Sequence, residues 1–291
     1  MPQRRTVADL RALKGQRAFS MLRVETLEEA AAAQQAGIDM LSVPPRRIGP
    51  AFREAAPDCF AIPGIEWGDC VSAEDYLRAA FALMKNGADA VYCAASLGIV
   101  RRLRDEGIPV CGHSGLVPSQ ATWTGGFKAV GKTAASAMDV WRQVRALEAA
   151  GAFAAEIEVV PPEVATLISR HTTLFMISMG AGPGCDAQYL FACDVLGANR
   201  GHVPRHAKVY RNFAAEYDRQ QAERVAAFGE FHRDVATGAF PESKHAPGIA
   251  AQELAGFERM LGEPGGQAEG ITRPDCEWPL ELPRERPPEL R

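Results

Sequence analysis

The stretch VCGHSGLVPSQATWTGGFKAVGKT, residues 110–133, decides how this chain is read. It opens on a short apolar run that ends in His113. It then crosses a glycine-rich loop and stops at Thr133, in front of the helical pattern AASAMDVWRQVRALEAAG. That is a strand, a long loop and a helix, with polar side chains at the strand's C-terminal end. The same grammar recurs downstream. FAAEIEVVPPEVA carries a strand into Glu158 and then a helix started by proline, and LFMISMGAGPGCDAQ carries a strand into Gly180, Gly182 and Gly184.

Working outward, apolar β-branched runs alternate with helical patterns along most of the chain, which predicts βα units and a parallel sheet. Strands are expected at 18–24, 39–43, 59–65, 88–94, 109–112, 153–159, 173–179 and 190–195. Thr26 with Glu29 and Gly37, and Ser72 with Gly87, mark the start and stop of helices. Further helices are expected at 95–106, 134–150 and 162–170. Eight strands suit a closed (β/α)8 barrel, in which reacting groups sit at the C-terminal strand ends. After Gly201 one or two polar-faced helices should pack outside the barrel. The single barrel with these additions is expected over 1–261, followed by a Pro/Glu/Arg-rich tail over 262–291, compatible with disorder or with an arm across a neighbouring subunit.

Composition narrows the function. At 291 residues and 47% hydrophobic, the chain buries a large core. Lys and Arg total 32 against 36 for Asp and Glu, a net charge of −4, which provides no field for nucleic acid or an anionic membrane. A small-molecule partner is expected. Seven dispersed cysteines without CxxC pairs point to reduced thiols and a cytoplasmic protein, and the N-terminal stretch holds no apolar run of signal or membrane type. Cys93 and Cys111, near strand ends, have no adjacent base and read as buried thiols.

The ordered segments GHSGL at His113, GGFKAVGKT from Gly125, EVVPP at Glu158, GAGPGCDAQ from Gly180, HVPRHAK from His202 and GAFPESKH from Gly238 resemble the ketopantoate hydroxymethyltransferase family. The match is dense from Gly107 to His245 and weak before it. The resemblance implies a TIM barrel of the phosphoenolpyruvate mutase and ketopantoate hydroxymethyltransferase type. It also implies a 2-oxo acid substrate, Mg2+ held by two aspartates, a glutamate base and a methylene unit carried by 5,10-methylenetetrahydrofolate. By the same resemblance Glu158 is the base and His113 binds substrate; among Ile157, Val159 and Val160, desolvation should raise the Glu158 pKa towards a useful range. Large cyclic homo-oligomers, often decamers, are implied as well.

The first third departs from the family. Pro45 and Arg46 stand where an Asp-Ser pair belongs, Gly64 at the other metal aspartate, Tyr92 at a substrate-binding lysine and Ala94 at an acidic residue. These side chains offer no carboxylate, so Mg2+ is not expected at that place. Glu66, followed by Asp69, is the alternative, a shifted ligand. Arg46 is expected to stand in for the ion as receptor for the substrate carboxylate, its counter-reading being a solvated Arg46–Arg47 pair.

The loop from Leu116 to Thr133 reads as a lid with Lys128 reaching an anion, or as a passive subunit contact. The backbone at Gly180 and Gly182 is expected to approach a ligand, although a plain glycine turn reads the same; Asp186 should cap the next helix. Two functions stand: a divergent hydroxymethyltransferase or aldolase-like enzyme, and a non-catalytic paralogue that binds a metabolite or a partner subunit.

Overall fold

A computed structural model describes residues 4–262, so the expected tail lies almost wholly outside the described residues. The chain divides into two units, 1–220 and 221–291. In the first, α1 (Val7–Ala12) precedes β1 (Phe19–Arg23), α2 (Leu27–Gln35), β2 (Met40–Ser42), α3 (Pro50–Ala55), β3 (Phe60–Ala61) and α4 (Ala73–Lys85). Then come β4 (Val91–Tyr92), α5 (Leu97–Asp105), β5 (Val110–Gly115), α6 (Ala121–Thr124), α7 (Ala134–Ala149) and β6 (Ala154–Glu158). The unit ends with α8 (Pro162–His171), β7 (Phe175–Met179), β8 (Ala187–Phe191) and α9 (Ala192–Leu196). Capping boxes start α2 at Thr26, α4 at Ser72 and α7 at Thr133, each side chain accepting from the N3 amide.

All strand pairs are parallel, in the order β3-β2-β1-β8-β7-β6-β5-β4. Backbone bonds just beyond β3 span the remaining gap: Tyr92 N donates to Pro63 O and Ile65 N to Tyr92 O, both at 2.9 Å. The result is an α/β barrel of TIM type. Two details differ from the sequence expectation. The eighth strand is 187–191 rather than 190–195, because AQYLF holds the period-two alternation, with Ala187 and Tyr189 buried, whereas ACDVL turns into α9. No helix joins β7 to β8; residues 180–186 make the crossover alone, with Ser178 Oγ donating to Gly182 O at 2.9 Å.

Two cores follow from strand pleating. Alternate strand residues face inward, and Phe19, Met21, Met40, Phe60, Ile62, Phe153, Phe175 and Ile177 fill the barrel, closed below by Leu10 of α1. Phe19 meets Phe175 edge-on with centroids 5.2 Å apart. The other faces pack against the helices through residues such as Leu41, Val91, Ile157 and Met176. At the N-terminal strand ends, three aspartates repeat one device. Asp39, Asp89 and Asp186 each accept the amide of the neighbouring strand (Ser20, Ala61 and Met176) and each binds a cationic side chain. Asp186 therefore caps no helix; it ties Lys14 (2.7 Å) and the Gly15 amide (3.0 Å) to β7.

In the second unit the remainder of α10 (Phe213–Thr237) and α11 (Ala251–Gly262) bury no residue. Phe240 stacks between Phe231 and His245, with centroids at 5.5 and 5.2 Å. No described helix is long and apolar enough to cross a membrane. Asp186→Ala leaves the partly buried Lys14 ammonium and the buried Met176 amide unpaired, and is expected to cost about 2 kcal/mol of stability, read as a lower denaturant midpoint. An unchanged midpoint would remove Asp186 from the account of barrel closure.

Candidate active site

One pleat step above the apolar filling, the inward positions become polar. Arg23 follows Met21 on β1, Ser42 follows Met40 on β2, and Tyr92, His113, Glu156 and Tyr189 continue the same rows. Register places His113 opposite Glu156 and Gly115 opposite Glu158. Gly115, at φ 83°, is where the two strands crowd: an added Cβ would lie 2.5 Å from Glu158 O. Immediately after Glu158, Val159 sits at φ 50°, a strained conformation for a β-branched residue. Its carbonyl accepts from Val130, so the end of the 116–133 loop is pinned behind the carboxylate.

The centre is a compact set of groups. His113 Nδ1 is hydrogen-bonded to the Tyr92 hydroxyl, and Nε2 lies 3.1 Å from Glu158 Oε2. Nε2 is buried and lacks a well-aligned hydrogen-bond partner. The His113 and Glu158 side chains are only 5% and 12% exposed, and Glu156 is buried beside them. Burial alone would push the imidazole down, but the negative charge of Glu156, then the close Glu158 carboxylate, hold it above its ordinary value. Burial raises the Glu156 carboxyl, with the nearby imidazole opposing. Burial, then the Glu156 charge, drives the Tyr92 phenol well upward, so it stays a donor. An imidazole set 3.1 Å from a carboxylate is the equipment of general acid–base chemistry.

Beside Tyr92 opens a cavity of about 440 Å³, lined among others by Arg23, Glu66, Trp67, Pro118 and Phe191, with His113, Glu156 and Glu158 outside its lining. Of the residues singled out from sequence, the structure brings His113, Glu158 and Tyr92 together and sets Glu66 at the cavity wall. Arg46 does not line the cavity; its side chain is 67% exposed and reaches Glu25 at 3.7 Å. Lys128 is exposed on the loop, its ammonium beside Gly125. Gly180 and Gly182 press against protein: an added Cβ would meet His206 Nδ1 at 2.8 Å and Pro162 Cβ at 2.5 Å. Glu156, Arg23, Ser42 and Tyr189 complete the polar layer. The period-two rows FSMLR and AQYLF carry the sequence signal for Arg23 and Tyr189. The cysteine reading agrees with the geometry, since burial pushes the Cys93 thiol up to about 11 and that of Cys111 further.

The residues at the second and third strand ends do not fit Mg2+. Pro45 lies in a short 3-10 turn, a Cβ added at Gly64 would lie 3.8 Å from Tyr92 Cδ1, and the Ala94 side chain carries no oxygen. None of these positions supplies a side-chain carboxylate. His113, Glu156 and Glu158 offer ligand atoms within 4.8 Å of one another, the one such group among the described residues. One nitrogen and two buried carboxylates are a donor set for a nitrogen-accepting cation rather than for hydrated magnesium.

Residues 50–243 match the family model described as ketopantoate hydroxymethyltransferase. Relatives named 3-methyl-2-oxobutanoate hydroxymethyltransferase include one, numbered 1, from Methylibium petroleiphilum, 33% identical over 215 residues that cover 72% of this chain and 71% of its own. The enzyme of Cenarchaeum symbiosum is 34% identical over 201 residues, covering 68% and 73%. That of Halalkalibacterium halodurans is 36% identical over 180 residues, and there the chain spans 62% of the relative's length. A solved 2,3-dimethylmalate lyase of the PEP mutase/isocitrate lyase superfamily is similar at a TM-score of 0.47 and 14% identity, covering 88% of this chain and 96% of that one.

His113 and Glu156 both hold protons more tightly when folded, so stability falls as pH rises. The His113 contribution is complete below its unfolded pKa near 6.5 and is lost as pH climbs through the raised folded value; Glu156 acts in the same direction from 4.5 upward. Denaturant midpoints measured from pH 5.5 to 8.5 are therefore expected to fall for the wild type and to flatten in His113→Asn. Parallel curves for the two proteins would contradict this.

Proposed function

Since this chain belongs to the ketopantoate hydroxymethyltransferase family, we propose that it makes or breaks a carbon–carbon bond beside the carbonyl of a small 2-oxo acid. Hydroxymethyl transfer and the related aldol and retro-aldol steps are the reactions meant, on a barrel of the phosphoenolpyruvate mutase and ketopantoate hydroxymethyltransferase type. The observation that carries this reading is the Glu158 carboxylate, held at the end of β6 against a buried imidazole.

Glu158 takes the proton from the carbon next to the ketone, and the C–H electron pair passes into the enolate. Negative charge then grows on the ketone oxygen. The Tyr92 hydroxyl, backed by the His113 imidazole, supplies a hydrogen-bond donor for that oxygen, and the low-dielectric surroundings strengthen the interaction. In the reverse proton movement Glu158 returns its proton to carbon. 5,10-Methylenetetrahydrofolate, the carbon donor that the resemblance implies, would supply the electrophilic one-carbon unit as a substrate. Trp67, 77% exposed, and Phe191 at the cavity rim present flat apolar surface of the kind a heteroaromatic ring covers.

A homo-oligomer and a cytoplasmic setting belong to the same proposal. The former is supported by exposed apolar residues such as Met138 on α7 and Leu167 on α8. The second reading, a non-catalytic paralogue, is favoured by the loss of the early-strand carboxylates; the strained turn behind Glu158 favours the enzyme.

Loss of the C3 proton signal of 2-oxoisovalerate in deuterium oxide tests the proposal. Exchange is expected in the presence of chelator, and Glu158→Gln is expected to slow it by about 10²- to 10⁴-fold. Absence of exchange on every 2-oxo acid tried, with or without magnesium, would favour the paralogue.

A further inference from the structure

We propose that Arg23 is the receptor for the substrate carboxylate, a cation supplied by the chain itself. This rests on the 2-oxo acid reading above and deepens it. Arg23 is the last residue of β1, on the inward row of Phe19 and Met21. Its side chain is 19% exposed and lines the same cavity as Tyr92, the phenol that bonds the catalytic imidazole.

The guanidinium is aimed and only partly used. Nε donates to Glu25 Oε1 at 2.8 Å, which fixes the plane of the fork. Its two outer nitrogens have slack partners: Nη1 is 3.5 Å from Ser42 Oγ, and Nη2 is 3.9 Å from Glu66 Oε1. Both separations exceed the length of a good N–H···O bond, about 2.9 Å. The end-on face of the fork is thus free to take a planar carboxylate through two parallel bonds, the geometry in which arginine surpasses lysine. Glu66 is about half exposed and can swing to solvent when the ligand arrives.

Charge placement supports the same occupant. Glu25 is shared between Arg23 and Arg46, through different carboxylate oxygens. Arg46 thereby offsets part of the Glu25 charge and acts on the site through it, from outside the cavity. The lining of the same cavity includes the apolar residues Ile65, Ala95, Val117 and Phe191. A carboxylate on Arg23 leaves a short branched alkyl chain against those residues, with its ketone on the side of Tyr92. The class of ligand is a small 2-oxo acid with an apolar side chain.

Calorimetric titration with 2-oxoisovalerate in chelator tests this, using wild type, Arg23→Ala and Arg23→Lys, with circular dichroism to confirm folding. The neutral ketone 3-methyl-2-butanone, which lacks the carboxylate, is the control ligand. The wild type is expected to bind the acid without a metal, Arg23→Ala to bind it about 10- to 100-fold more weakly, and Arg23→Lys to fall between them. Binding of the neutral ketone should be equal in all three. Acid binding by Arg23→Ala within about twofold of wild type would overturn the inference, as would a wild type that binds the acid only after magnesium is added. The outcome separates from that of the reaction itself. Arginine-dependent binding without C3 exchange keeps the receptor and removes the enolisation, whereas exchange with unchanged binding in Arg23→Ala does the reverse.

Discussion

Two carboxylates at the top of one strand, Glu156 buried and Glu158 nearly so, set the terms for the rest of the barrel mouth. Charges so close in a low-dielectric interior cannot both persist without protons or a cation beside them. His113 lies against Glu158 and is held on its other side by Tyr92, while burial keeps Glu156 inclined to its proton. An imidazole and a phenol, each able to hold a proton, stand beside these carboxylates. Tyr92 and Gly64, two departures from the family pattern, meet at this place: the phenol ring lies over the glycine that stands where a metal carboxylate is expected.

The opposite end of the barrel shows a different use of the same residue types. Asp39, Asp89 and Asp186 each join a strand amide to a cationic side chain, at the face that in such barrels serves stability. Between the two ends lies an apolar filling of phenylalanine, methionine and isoleucine. Rigid packing below and a strained turn at Val159 above hold the Glu158 carboxylate in place. The loop pinned at Val130 adds a second hold from the solvent side.

Much of this was legible in the sequence. Alternating strand and helix patterns, capping boxes at Thr26 and Ser72, and the positions of His113 and Glu158 at strand ends were enough to expect the barrel and its reactive face. The sequence pattern sets the eighth strand too late because LFACDVL is apolar apart from Asp194, and hydrophobicity alone does not separate a buried strand from a short buried helix. Arg46 drew notice because it aligns with a lost ligand, yet a βα loop residue points where the turn sends it, here to solvent. Arg23 was passed over although pleating placed it on the inward row. Gly180 and Gly182 suggested ligand approach; the reason for glycine lies in His206 and Pro162, residues distant in sequence whose closeness only the fold reveals.

The central claim is that the His113 imidazole, lodged between Tyr92 and Glu158, carries a proton at the barrel mouth. Nitrogen NMR of the His113 ring in chelator-treated protein tests it most directly. The account predicts a native, folded protein whose imidazole keeps its proton above the ordinary histidine range, with Nδ1 bonded to the phenol. A ring whose Nε2 remains bound to a stoichiometric divalent cation after chelation, or that titrates as a free histidine does, would contradict it.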